Sequence, residues 1–476
     1  MKKRNKKKVI IFGAGPAGLA AATRLVENMI DVTVVEKEDQ VGGISKTKEY
    51  KGYRFDLGGH RFFTKSDEVN KLWEETLGQD FITRPRLSRI YYNNKLFDYP
   101  VKAGNALKGL GVWQSCLVGF SYIKAKLFPQ KEETNFEQWV SNRFGKRLYR
   151  IFFKTYTEKL WGIPCTEIQA EWAAQRIKGL SLFSALKNAL IPDKSGKIKT
   201  LIDEFKYPKY GPGMMYEKMA SEILSKGGNV LTETEVIKIN RNNFTIKDIE
   251  IRRNNKSEKL SATDFISSMP ITKLVEIMDP VAPKEVLQAA RNLSYRSFIT
   301  ASVILKTKNF LPDTWIYVHS PEVKLGRIQN FKAWSPYMVP DKDHIALGLE
   351  YFCTEGDDLW SMKDRDLLEL AVSELEKIGL GKVNQFVDGF VVRVPKAYPT
   401  YDSSYPKNIK VIKKFLTHFK NIQPIGRYGM FKYNNMDHSI LTGLYAADNV
   451  LGSNKNIWEI NADQEYHEES KKTTSK

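Results

Sequence analysis

Val9-Ile10-Ile11-Phe12-Gly13-Ala14-Gly15-Pro16-Ala17-Gly18 opens the stretch that decides the fold, and Asp31-Val32-Thr33-Val34-Val35-Glu36 closes it. The first four residues form a short, mostly β-branched run, which reads as a buried parallel strand. A helical pattern follows the glycines, with Leu19, Ala21, Ala22, Leu25 and Val26 as its apolar face, and the second strand ends on an acid. Strand, glycine turn, helix, strand and acid together make a βαβ unit of the dinucleotide-binding kind. Gly13 permits the tight turn, Gly15 lets the backbone approach a pyrophosphate, and Gly18 lets the helix pack closely on the strand. The phosphates then sit at the helix N-terminus, where free N–H groups and the dipole favour negative charge. Glu36 stands where a carboxylate accepts hydrogen bonds from an adenosine ribose.

Composition bounds what surrounds that unit. At 476 residues the chain exceeds what one core usually supports, so two or three cooperating domains are expected. Lys and Arg number 74 against 55 Asp and Glu, a net charge of +19 that favours anionic ligands or surfaces. Apart from short runs at Met1–Lys8 and Arg252–Lys259 the basic residues are scattered, and no nucleic-acid module accompanies them, so no nucleic-acid partner is expected. Cys116, Cys165 and Cys353 lie far apart, too few for a zinc site and without a Cys-x-x-Cys pair; no metal is expected, and a reducing, cytoplasmic compartment fits. The start imitates a signal peptide, but the glycine spacing assigns it to the nucleotide unit. No apolar run approaches the ~20 residues that cross a bilayer, so the expectation is a soluble or at most peripheral protein with no stable membrane insertion.

Beyond Glu36, the stretch Lys37-Glu38-Asp39-Gln40-Val41-Gly42-Gly43 resembles the acid-then-diglycine extension of glutathione-reductase-like FAD proteins, with Ile44 where they usually carry arginine. Later come Tyr207-Pro208-Lys209-Tyr210-Gly211-Pro212-Gly213-Met214, a helix through Leu224, a strand at Val236–Ile239 and another over Ala262–Pro270, ending at the proline. That order resembles amine oxidases and protoporphyrinogen oxidases, whose FAD domain is assembled from separated stretches. There is no second GxGxxG unit and so no dedicated NADPH domain. Apolar positions at helical spacing, such as Val69, Leu72, Trp73 and Leu77, or Phe136, Trp139, Val140 and Phe144, predict a mainly helical segment. Shorter β-branched runs, such as Phe298–Leu305 and His344–Tyr351, predict an antiparallel sheet. The expected fold is α/β: a glutathione-reductase-like FAD-binding Rossmann domain with a helical insertion and an antiparallel-sheet substrate domain. The boundaries are 1–65, 205–292 and 405–467 for the discontinuous FAD domain, 66–204 for the helical cap and 293–404 for the sheet.

Three stretches resemble the UDP-galactopyranose mutases, flavoenzymes that interconvert pyranose and furanose rings of a nucleotide-linked sugar. They are Asp56-Leu57-Gly58-Gly59-His60-Arg61-Phe62-Phe63, then Tyr156-Thr157-Glu158-Lys159-Leu160-Trp161-Gly162 with Gln175-Arg176 downstream, and Gly426–Asp437, which holds Arg427, Tyr433, Asn435 and Met436. Leu325-Gly326-Arg327-Ile328 with Trp334-Ser335-Pro336-Tyr337 resembles the second substrate arginine and the strand after it, and Ala397-Tyr398-Pro399-Thr400 a substrate tyrosine segment. The resemblance implies an FAD site at Gly13, Gly15, Gly18, Glu36, Gly42, Gly43, Gly59, His60, Val236, Arg427, Asn435 and Met436. Asn435 replaces an aspartate of the bacterial mutases, and its amide can still donate and accept. It further implies that Arg176 and Arg327 clamp a diphosphate, that Tyr398 and Tyr433 donate to it, and that Tyr156 and Trp161 face the base. A diphosphate carries about two negative charges and suits arginine forks. His60, Arg176 and Arg327 are then the catalytic candidates, with reduced flavin N5 as nucleophile at the anomeric carbon.

Other readings stay open at this point. Trp161 and Tyr156 also fit as helix-core aromatics, the arginines as surface ion pairs, and His60 as a hydrogen-bonded spacer. An amine-oxidase-like or protoporphyrinogen-oxidase-like enzyme with net substrate oxidation would have an apolar pocket without paired arginines, and an FAD-stabilised scaffold would show no substrate dependence. The partners implied are a nucleotide sugar, UDP-linked, an external reductant or NAD(P)H, and a second copy in a homo-oligomer, within cell-surface polysaccharide biosynthesis.

Overall fold

The computed structural model describes residues 7–99, 101, 103–170 and 204–461. At its centre five strands run parallel in the order Ile422–Pro424, Asp264–Ser267, Lys8–Phe12, Asp31–Val35 and Asn229–Leu231. Strands covered on both faces have no solvent side to make polar, which is why Val9–Phe12 and Val32–Val35 are unbroken apolar or β-branched runs. The helix Pro16–Glu27 returns across one face and packs against the helix Met436–Val450. Their contact is so close that a Cβ on Gly443 would lie 2.0 Å from the Ala17 carbonyl oxygen. The other face is covered by the strands Thr234–Asn242 and Thr245–Arg253 and the helices Lys284–Arg291 and Tyr405–Leu416, around Phe12, Ile239, Phe265 and Ile412.

A second sheet has seven strands in the order Phe386–Pro399, Tyr295–Lys306, His344–Cys353, Arg327–Asn330, Trp315–Val318, Ser88–Tyr92 and Lys95–Asp98. Both runs expected as antiparallel strands are there, paired over ten positions from Ser297 opposite Cys353 to Lys306 opposite His344. Its last two strands come from the segment expected to be a helical cap, and Ser88–Tyr92 joins Trp315–Val318 in parallel. Short strands of four or five residues between helices give periodicity too little length to register. The rest of that segment is mainly helical where described: Asp67–Leu77, Ala103–Leu110, Val112–Leu127, Phe136–Phe144 and Thr155–Trp161. A further correction concerns Trp334–Tyr337, expected as a strand. The strand is Arg327–Asn330, and Phe331–Trp334 is a helical turn capped by the Asn330 side chain, after which Pro336 starts a tighter turn. Among the described residues, no helix is long and apolar enough to cross a membrane.

Candidate active site

The glycines of the first loop each occupy a distinct spatial niche. Gly13 adopts φ +96°, its N–H donates to Val35 O at 2.8 Å, and a Cβ there would meet Ser268 Oγ at 2.3 Å. A Cβ on Gly18 would lie 1.9 Å from the Gly13 carbonyl oxygen, so helix and strand are packed as tightly as backbone allows. Gly15 differs: the nearest atom to its Cβ position is 3.8 Å away, on the Gly43 backbone, an ordinary van der Waals separation, so the protein itself would tolerate a side-chain carbon there. Gly42 and Gly43, at φ +102° and +56°, turn the chain back over Gly15, with Gly42 N–H donating to Ala14 O at 2.8 Å. The helix Pro16–Glu27 has no side-chain cap and no acid in its first turn, which leaves its N-terminus to an outside anion. Glu36 is buried, accepting from Ala14 N at 2.7 Å and Glu38 N at 3.0 Å. This cradle fits the pyrophosphate and ribose of FAD. Val236 is buried on the strand that follows Glu36 in space, with Thr234 N–H donating to Glu36 O at 2.8 Å. Asn435 stands at the N-cap of the helix Met436–Val450, and Met436 begins it.

Beyond the cradle, the loop Leu57–His60 leads to a cluster of charged and aromatic side chains. Its base is fixed by Asp56, wholly buried, which accepts from Thr47 Oγ1 at 2.8 Å and from the Tyr207 hydroxyl. Burial pushes the Asp56 carboxyl up to about 7 against the pull of those two donors. Gly211, at φ +94°, packs on the same pair, and Thr47 Oγ1 accepts from Gly213 N at 3.0 Å, which gives the Gly211-Pro212-Gly213 turn its purpose. From the Cβ position of Gly58, His60 Cε1 is 3.6 Å away, Arg327 Nη2 3.7 Å and Phe298 Cζ 3.8 Å. The loop therefore brings His60 and Arg327 to one point.

Arg327 does not stand alone. It lies directly across the sheet from Glu350, which is fully buried, and the two form a fork-to-fork pair at 3.0 and 2.5 Å. Gln329 Nε2 donates to Glu350 at 2.9 Å and Gln329 Oε1 accepts from Trp334 Nε1 at 3.1 Å, so the carboxylate is held from two sides. Burial works against the charged guanidinium, but Glu350 outweighs it and holds Arg327 well above its ordinary value. Arg427 donates to the carbonyls of Asn434 and Ala397, at 2.9 and 3.1 Å, and lies over the Tyr433 ring at 4.7 Å. Tyr398 and Tyr433 stack with centroids 5.7 Å apart, and Tyr156 stacks on His319 at 5.0 Å with its edge to Tyr317. Burial raises the hydroxyls of Tyr156, Tyr317 and Tyr398, so they remain protonated donors. His60 is driven down to about 3 by burial first, then by Arg427 and Arg327, and is a neutral imidazole at ordinary pH. Its Nδ1 is covered and has no hydrogen-bond partner among the described residues.

Of the expected substrate residues, Tyr156, Arg327, Tyr398 and Tyr433 belong to this cluster together with His60 and Arg427; Gly59 lies in the His60 loop. Trp161 is 3% exposed and packs in the core between the helical layer and the sheet. Its indole is part of that core, as a helix-spaced aromatic usually is. Arg176, with Gln175, lies outside the described residues. Glu350, Gln329, Tyr317 and His319 were not anticipated. The signal for Glu350 was available: a carboxylate inside the otherwise apolar run Ile345–Phe352 has to be paired. Lys159, from the Tyr156 segment, is another such tie. Its ammonium donates to the carbonyls of Val318, Ser320 and Leu325 at 2.8–3.2 Å, fastening the helix Thr155–Trp161 to the turn before Arg327, and burial lowers it to about 8.

Known proteins share this architecture. A coproporphyrinogen III oxidase of Mycobacterium leprae (strain TN) is 22% identical over 414 residues, covering 82% of this chain and 87% of that protein. A probable UDP-galactopyranose mutase of Klebsiella pneumoniae is 27% identical over 173 residues, 35% of this chain and 44% of that protein. The crystal structure of a reduced UDP-galactopyranose mutase superposes with a TM-score of 0.82 over 96% of this chain and 98% of that one, at 22% identity, a likeness of fold. The family described as flavin containing amine oxidoreductase matches residues 16–451, from the nucleotide helix to the end of the C-terminal one. With that match spanning most of its length and a cradle shaped for FAD, the chain belongs to the flavin-containing amine oxidoreductases.

Proposed function

We propose that the chain is a cytoplasmic, FAD-dependent nucleotide-sugar pyranose/furanose mutase, acting on a UDP-linked hexose for cell-surface polysaccharide. One observation carries the reading: two arginines and four tyrosines gather around the Gly58–His60 loop, a donor-rich cluster suited to a diphosphate. An apolar amine or a flat apolar ring would gain little from those donors, which would be left unpaired around it. The named similarity to a mutase supports the same choice.

Reduced FAD, kept so by an external reductant or NAD(P)H, supplies when bound a nucleophilic nitrogen toward the anomeric carbon. The protein's part is to hold the diphosphate as a poised leaving group. Arg327, oriented by Glu350, and Arg427 provide positive charge, the phenols of Tyr156, Tyr317 and Tyr398 donate to phosphate oxygens without losing their own protons, and the Tyr433 hydroxyl donates beside them. Neutral His60 can accept a hydrogen bond at Nδ1 without adding charge beside the arginines.

Net substrate oxidation is the second reading, favoured by the similarity to a coproporphyrinogen oxidase over most of both chains. One experiment separates the two. Dithionite-reduced protein under argon and, separately, oxidised protein in air are incubated with UDP-galactopyranose, UDP-galactofuranose and other nucleotide sugars; the products of both are chromatographed and peroxide is assayed in the aerated arm. Ring isomers with the flavin still reduced are expected. Peroxide formed in step with substrate loss, without isomers, would sink the mutase reading.

A further inference from the structure

The helix Val112–Leu127 buries one face and leaves the other bare. Val118 points inward, whereas Trp113, Cys116, Phe120, Ile123 and Leu127 recur every three or four residues along the outside. Trp113 is 74% exposed, Phe120 70%, Leu127 68% and the following Phe128 76%, a contiguous apolar stripe of a kind that stable monomers rarely leave in water. The electrostatics of this region are one-sided. From Tyr99 to Gln130 the chain has no Asp or Glu but carries Lys102, Lys108, Lys124 and Lys126. Beneath the stripe lies a cavity of 710 Å³ whose lining includes Phe120 and Phe128 alongside Lys124, Lys146, Arg147 and Arg150.

We propose that this face docks the protein peripherally on an anionic bilayer. Trp113, Phe120, Leu127 and Phe128 seat at the boundary between headgroups and acyl chains, and the basic cavity receives lipid phosphates. An amphipathic helix with aromatic and leucine residues on one side and lysines beside them lies in that plane. A second copy is the poorer occupant, because the +19 chain would bring one acid-free, lysine-bearing face against another. The helix has 16 residues, too few for a span, which suits surface attachment.

The test uses the full-length, FAD-loaded protein in sedimentation with vesicles of phosphatidylglycerol in phosphatidylcholine, and with phosphatidylcholine alone. Binding to the anionic vesicles is expected to be about ten-fold or more tighter than to the neutral ones. The double variant Trp113→Asp, Phe120→Asp should lose about ten-fold or more of it with an unchanged flavin spectrum. Should that variant fail to fold, Lys124→Glu with Lys126→Glu reads the charge contribution alone and should weaken binding in the same direction. Absence of vesicle binding overturns the proposal, as does binding that neither double variant changes. A concentration-dependent dimer that Trp113→Asp disperses also overturns it, by showing that a second copy covers the face.

Discussion

On the proposed reading, the nucleotide cradle and the arginine–tyrosine cluster would both hold phosphate, by opposite means. The cradle uses backbone: Gly13 to Gly43 is one continuous stretch, and its decisive features are absent side chains, a bare helix end and one acid. The cluster uses side chains from Gly58–His60, Tyr156, Tyr317, Arg327, Glu350, Tyr398 and Arg427–Tyr433, brought together by sheet register and loop packing. A backbone site is broken by adding atoms, a side-chain site by removing a partner. The first suits a cofactor common to many reactions, and the second a substrate particular to one.

The largest expected effect lies in the cradle and separates two glycines. Gly18→Ala places a carbon 1.9 Å from the Gly13 carbonyl oxygen, so the variant should lose both fold and yellow colour. Gly15→Ala meets nothing closer than 3.8 Å in the protein and should fold, as read by circular dichroism, while retaining little FAD absorbance. A yellow Gly15→Ala protein would show that the pyrophosphate does not approach there.

In the cluster, Arg327→Ala removes the proposed phosphate donor and strands the fully buried Glu350. UDP affinity by calorimetry should fall about ten- to a hundred-fold, and stability by about 3–5 kcal/mol in urea unfolding. Adding Glu350→Gln should recover most of the stability and none of the affinity. Recovery of UDP binding in the double variant would mean that Arg327 serves only to neutralise Glu350.

The smallest effect lies between the two sites, at Asp56. Its folded carboxyl, raised from 3.8 to about 7, keeps a proton that the unfolded chain releases at lower pH. The stability it contributes therefore falls as pH rises from about 4 to about 7 and levels off above, with a slope of at most about 1.4 kcal/mol per pH unit. Asp56→Asn should flatten that slope in urea unfolding across the same window. An unchanged slope would place the ionisation elsewhere.

Legibility followed the same divide. The βαβ unit could be read because turn, helix and acid are neighbours in the chain and each has a local physical signature. His60, Arg427, Tyr398 and Tyr433 were reached through resemblance, since nothing in their own spacing shows that they meet. Glu350 escaped because its partner lies on another strand, 23 residues away, and strand register is not written in either run alone. Ser88–Tyr92 and Lys95–Asp98 escaped because they complete a sheet whose other strands come more than two hundred residues later.

The contact between Ala17 and Gly443 has a consequence in time. The nucleotide helix leaves the ribosome long before the helix that covers it and before the strand Ile422–Pro424 at the edge of the central sheet. At about 5–20 residues per second, the interval between those two residues is roughly 20–90 s. Throughout it the apolar flank of Pro16–Glu27 lacks its permanent neighbour, and a chain stopped short of Met436 never acquires it. Holding FAD firmly thus waits on the helix Met436–Val450, which makes a yellow product a sign that translation reached it.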